Sequence, residues 1–122
     1  MRNAFVVTLA AALGLIFGCE SSQRGVKTNY HAQWTNVAAD TKTTTDAAKM
    51  VLMDDGLRDV TEKSTKLDGT AGGKKADGTK IEVSVKKLSD TSSQVTVNVG
   101  KMGDPKVGAD IARRIKDRAE HK

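Results

Sequence analysis

The chain reads as an α+β domain: a small antiparallel sheet of four or five strands with two helices packed on one face, in the order β-α-β-β-β-β-α. Three observations carry that expectation. Apolar and polar residues alternate over residues 26–34, 81–85 and 95–99, the period of a half-buried strand. Apolar residues recur every three to four positions over 37–52 and 107–119, the period of a helix laid on a core. Turn and cap residues, Asp77-Gly78 and Asp104-Pro105, lie between these runs. Two amphipathic helices on one face of such a sheet bury all the stripes together. With 122 residues, 38% apolar and 29% charged, the chain suits one small folded unit, and its 3% aromatic content requires an aliphatic core.

The first strand covers residues 26–34, where Val26, Thr28, Tyr30, Ala32 and Trp34 alternate with Lys27, Asn29, His31 and Gln33. Both large rings are therefore expected on the buried side, as core residues. Val37, Thr41, Thr44, Ala48, Val51 and Leu52 mark one face of a helix that Gly56 stops. Thr43, Thr44 and Thr45 are restricted in a helix by β-branching, which leaves its start open between Val37 and Thr45. Asp54 and Asp55 oppose the dipole in the last turn, predicting a frayed, solvated end.

Residues 57–64 form a weakly patterned second strand. Ala76-Asp77-Gly78-Thr79 is a hairpin turn, and burial argues its register. A two-residue Asp77-Gly78 turn sets Lys74 opposite Ile81 and buries a lysine. A three-residue loop over 76–78, with Gly78 left-handed, sets Gly73 opposite Ile81 and Ala71 opposite Val83. The second is preferred, and it sends Lys74, Lys80, Glu82 and Lys86 to the outer face. Gly69, Gly72 and Gly73 read as a strand irregularity or a place where a helix lies close to the sheet. Val95, Val97 and Val99 form the last strand. Asp104 caps a final helix and Pro105 opens it, with Val107, Ile111, Ala112, Ile115 and Ala119 on the apolar face.

The N-terminus has the layout of an export signal: Met1-Arg2-Asn3, an apolar stretch of about 14 residues, and the small residue Gly18. A spanning helix needs about 20 apolar residues, so this stretch is too short for one. Ile16-Phe17-Gly18-Cys19 resembles the lipobox of bacterial lipoproteins, with a branched aliphatic residue three before the cysteine and glycine directly before it. Phe17 stands where a smaller residue is usual. The resemblance implies cleavage before Cys19 and diacylglycerol on its thiol. The chain then divides into a signal peptide (1–18), a lipidated cysteine with a polar tether (19–25) and one α+β domain (26–120). Glu20 is not the aspartate that retains such proteins in the inner membrane, so the implied address is the outer membrane, facing the periplasm. Cys19 is the only cysteine, which excludes an internal disulfide.

Beyond the lipobox, the run Ala76-Asp77-Gly78-Thr79-Lys80-Ile81, the strand ending Val97-Asn98-Val99-Gly100, the following Gly103-Asp104 and the Ile-rich terminal helix resemble a family of small bacterial lipoproteins known only as a domain of unknown function. The likeness runs from roughly Tyr30 to Ile115, and the order of the set is more specific than any single motif. It implies the lipoprotein class and the fold, and it brings no activity with it.

Residues with chemistry are sparse. His31 and His121 are isolated and no cysteine partners them, so neither a metal nor another cofactor is expected. The sequence has no serine nucleophile elbow, and its two histidines give little material for a triad. Gly100-Lys101-Met102-Gly103-Asp104 lacks the Gly-Lys-Ser/Thr ending of a phosphate loop, and Asp104 would occupy the helix end itself. The expectation is a non-enzymatic protein held to a membrane by lipid on Cys19. Its partner is expected to be an envelope protein, an anionic glycolipid or a cell-wall polymer. The formal charge of +5, or +4 once Arg2 leaves with the leader, is a mild basic excess. An outer face bearing Lys74, Lys80 and Lys86, extended by Lys87 and Lys101, is the candidate anionic-ligand surface. Nucleic acid is not expected: no aromatic platform interleaves with these lysines, and export removes the opportunity.

Overall fold

The computed structural model describes residues 25–121. Cys19 and residues 1–18, expected to be a signal peptide, lie outside the described residues. The fold is α+β, with six antiparallel strands and two helices. The strands are β1 (Lys27–Thr28), β2 (Ala32–Val37), β3 (Arg58–Ser64), β4 (Asp68–Lys74), β5 (Lys80–Ser89) and β6 (Ser92–Val99), and the helices are α1 (Thr41–Asp54) and α2 (Pro105–Glu120). In space the strands run β1-β2-β6-β5-β4-β3. Because every neighbouring pair is antiparallel, β2 and β3 point the same way, and α1 carries the chain between opposite sides of the sheet. The meander from β3 to β6 then returns it beside β2. Both helices cover one face, where Ala48, Val51, Leu52, Ile111, Ala112 and Ile115 meet Ile81, Val83, Val85, Val95, Val97 and Val99 in an aliphatic core.

The β4–β5 register agrees with the three-residue loop: Gly73 pairs with Ile81, Ala71 with Val83 and Lys74 with Lys80. Gly78 has φ +92, the left-handed conformation such a loop demands. Asp77 Oδ1 accepts from Thr79 N at 2.9 Å and tightens it. Gly69 marks the close helix approach, since a Cβ there would run into the Thr45 side chain of α1. The weak pattern of β3 has a physical reason: it is an edge strand with a register shift between Arg58 and Thr61, where Asp59 takes φ 52.

The first strand departs from expectation. Asn29 Oδ1 accepts from His31 N and Ala32 N, both at 2.8 Å, making a tight turn inside the alternating run. The run is thereby split into β1 and β2, which raises the expected four or five strands to six. The turn also reverses the side that is buried. Gln33, Thr35 and Val37 face the helices, Trp34 lies half-buried on the outer face, and Tyr30 is 64% exposed. The polar residues buried instead are held by hydrogen bonds: Gln33 Nε2 donates to Thr28 Oγ1 at 2.9 Å and Asn29 O at 3.1 Å, and Thr35 Oγ1 donates to Gly25 O at 2.7 Å.

Helix α1 starts at Thr41, ahead of the threonine run and within the range left open. Asp40 caps it by accepting from Thr43 N at 2.8 Å, and Thr41, Thr44 and Thr45 are all buried. Thr45 Oγ1 donates back to Thr41 O at 2.7 Å, so a buried hydroxyl is satisfied within the helix. Its other end is not a solvated pair of aspartates: Arg118 reaches Asp54 at 2.9 Å and Arg114 reaches Asp55 at 2.8 Å.

Candidate functional site

The face of the sheet away from the helices is open and polar, and the register shows what it displays. Residues directly paired across antiparallel strands share a face. One row runs Lys63, Thr70, Ser84, Thr96, Trp34, Lys27; the next runs Thr61, Gly72, Glu82, Asn98, Ala32. A third row, at the end of the sheet holding the β4–β5 loop, pairs Arg58 with Lys74 and Lys74 with Lys80. At the opposite end Lys86 pairs with Asp68 and Gln94.

The three lysines singled out from sequence are all exposed on this face, but only Lys74 and Lys80 are neighbours. Six residues of extended β5 separate Lys86 from Lys80, about 20 Å. Arg58 takes the third place in the basic row. Its position depends on the β3 bulge and on a pairing between distant segments, neither of which has a local signature. Among the described residues, Arg58, Lys74 and Lys80 make no ion pair. Directly opposed like charges are mildly destabilising, so this row concentrates positive charge at one end of the face.

Beside the row lies an open depression of about 600 Å³, bordered by Lys80, Lys101, Glu82, Asp77 and Asn98. Thr79, through its hydroxyl and its amide, holds the Asp77 carboxyl below the usual aspartate range, so this rim carries charges of both signs. A second open depression, about 480 Å³, lies at the N-terminal end of α1 and is bordered by Lys42, Lys66, Lys87, Asp40 and Asp90. Lys87 there pairs with Asp90 at 3.1 Å.

Asp46 on α1 and Glu62 on β3 are carboxylates brought together by the fold. Their hydrogen bond pulls Asp46 down and, with burial, pushes Glu62 up, while Lys49 stands 3.7 Å from Glu62. Sixteen residues separate them, and adjacency in sequence points instead to Asp54 and Asp55, which serve as ion-pair partners for α2. Among the described residues, no group of three or more His, Cys, Asp or Glu could hold a metal ion, and no helix is long and apolar enough to cross a membrane.

A family model for a protein of unknown function, DUF3568, matches residues 5–118. The chain belongs to the DUF3568 family. The match includes the apolar N-terminal stretch and Cys19 as well as the folded DUF3568 domain down to the last turn of α2. A comparison with curated proteins finds no match.

Proposed function

We propose that this DUF3568 protein is a membrane-anchored bacterial lipoprotein of the cell envelope, exported, cleaved before Cys19 and lipidated there. Its domain works by binding an envelope component rather than by catalysis. The observation that carries this reading is the position of Cys19, directly after Gly18 at the end of an apolar stretch of about 14 residues and directly before a polar segment. Two or three acyl chains on one cysteine give stable anchoring where a single chain is marginal. The family match supports the reading because it begins inside the apolar stretch, so leader, cysteine and domain belong to one matched unit. Glu20 favours an outer-membrane address facing the periplasm. Intact mass of membrane-extracted protein tests the proposal. The expected species begins at Cys19 and carries acyl chains, and a mass equal to the unprocessed chain overturns it.

The row of Arg58, Lys74 and Lys80 favours one specific second reading: a binding module for an anionic lipid or polysaccharide on the outer sheet face, with Lys86 as an outlying contact. An anion set over Lys74 and Lys80 relieves the repulsion built into their pairing. Replacing Lys74, Lys80 and Lys86 by Gln should weaken binding to envelope extracts and flatten its salt dependence. Unchanged binding removes this reading and leaves the anchor untouched.

A further inference from the structure

The two ends of the sheet are not equivalent with respect to the N-terminal segment. β1 pairs Lys27 with Trp34, and continuing that register sets Gly25 beside Asn36, level with Gln94 and Lys86. The chain therefore enters the fold at the end that carries the β3–β4 loop and the β5–β6 turn. That end exposes two large aliphatic side chains, Leu67 at 66% and Leu88 at 49%. Lys87 N donates to Leu67 O at 2.9 Å, so the loop and the end of β5 lie side by side. Lys63, Lys66 and Lys86 surround them without an ion-pair partner among the described residues. Of the acids on this rim, Asp68 lies opposite Lys86 and accepts from Thr65 Oγ1 at 3.1 Å, Asp90 pairs with Lys87, and Asp40 caps α1.

Resting on the anchored reading above, we infer that this end of the domain is a membrane-docking surface. Leu67 and Leu88 enter the headgroup layer of the membrane that holds the lipidated cysteine, and Lys63, Lys66 and Lys86 lie against its anionic phosphates. Exposed leucines flanked by lysines match such an interface chemically. The far end is also apolar and basic, with Tyr30 at 64% and Met102 at 72% exposed beside Lys101. Chain length decides between them. The six residues from Glu20 to Gly25 reach about 20 Å at full extension. The run of β5 from Lys86 to Lys80 is itself about 20 Å. Seating the far end would use the whole tether before Cys19 reached the surface, whereas the near end needs almost none of it. Docked this way, the domain presents the Arg58–Lys74–Lys80 row away from the membrane.

The test uses the protein expressed from its whole sequence, extracted from membranes and reconstituted in vesicles of equimolar phosphatidylglycerol and phosphatidylethanolamine that carry a headgroup quencher. Single variants Leu67→Cys, Leu88→Cys, Ser84→Cys and Met102→Cys are each labelled with an environment-sensitive fluorophore, the Cys19 thiol being blocked by its acyl group. Quenching several-fold stronger at 67 and 88 than at 84 and 102 is the expected result. Lys66→Gln with Lys86→Gln should shrink that difference. Strongest quenching at 102 or at 84 overturns the inference, as does equal quenching at all four sites. Intact mass of each sample separates the two failures: acyl chains present with uniform quenching sinks the docking surface alone, and a mass without acyl chains sinks the anchor and the docking surface together.

Discussion

Arg114 of α2 closes a two-pronged ion pair on Asp55 at the C-terminal cap of α1, with Nη1 donating to Oδ1 at 2.9 Å and Nη2 to Oδ2 at 2.8 Å. Its Nε donates to Asp110 Oδ2 at 2.9 Å, which fixes the fork from behind. Hydrogen bonding to Asp55 raises the Arg114 pKa against the opposing effect of burial. A carboxylate at a helix C-terminus is unfavourable by itself, and the guanidinium reverses that penalty while tying the two helices together. Arg114→Ala should therefore destabilise more than Asp55→Ala, because only the first leaves an uncompensated charge at the helix end. A double-mutant cycle read by urea unfolding at low salt should give about 0.5–1 kcal/mol of coupling, shrinking as salt is added. Zero coupling at low salt would mean that the pair contributes nothing.

Gly108 lies where α2 crosses Gln33, and a Cβ there would enter the space of the Gln33 amide. Two effects compete in Gly108→Ala. Alanine in a helix interior gains about 1 kcal/mol over glycine, and overpacking a closed site costs about 1–3 kcal/mol. Gln33 is 0% exposed, and the Cβ would meet its Oε1, which has no partner among the described residues. Moving that oxygen also breaks the bonds that Nε2 donates to Thr28 and Asn29, so overpacking wins. The variant should lose stability in chemical denaturation. In a Gln33→Ala background the same substitution should become stabilising, a change of sign that a pure helix-propensity effect cannot produce.

What the sequence reveals here follows the reach of its signals. The β4–β5 register was legible because only one pairing kept Lys74 off the core, a constraint contained within a dozen residues. Helix α2 was legible because cap, proline and apolar stripe all lie within one element. The parity of β2 was not, since the residues facing the helices include Gln33 and Thr35, and hydropathy points to the opposite side. Asn29 was the available signal: a short side chain able to accept from two following amides, placed in the middle of an alternating run. The basic row was half legible. Lys74 and Lys80 follow from the hairpin, whereas Arg58 requires the bulge in β3 and Leu67 requires knowing which end of the sheet receives the chain.

Two glutamates should respond to acid with opposite signs. Burial by itself would raise Glu120, but Lys116 Nζ at 2.8 Å and the Ala38 amide at 2.7 Å outweigh it and hold its carboxyl below the ordinary 4.5. Its contribution is complete above 4.5 and is lost as pH falls through the depressed value. Glu62 is pushed above 4.5, first by its hydrogen bond to Asp46 and then by burial. The folded state there binds a proton more tightly than the unfolded chain, so stability falls as pH rises from 4.5 through the raised value. Urea midpoints across the acid range should show Glu120→Gln removing the loss on the low side and Glu62→Gln removing the loss on the high side. Identical profiles for both variants and the parent would remove these assignments.

Trp34 is the only tryptophan, and it separates the observed sheet from one with its aromatic residues in the core. It lies half-buried on the outer face, paired with Lys27 on one side and Thr96 on the other. An indole so placed keeps one edge in water. Its fluorescence should be open to quenching by iodide in the native protein, with a quenching constant well above that of a sealed core indole and below that of the urea-unfolded chain. The energetic counterpart is a comparison of two truncations. Leu52→Ala removes a fully buried side chain and should cost about 2–5 kcal/mol. Trp34→Leu keeps an apolar body on an open face and should cost less than about 1.5 kcal/mol. If Trp34→Leu proved the more damaging and iodide failed to quench, the indole would belong to the core and the reversed parity of β2 would have to be abandoned.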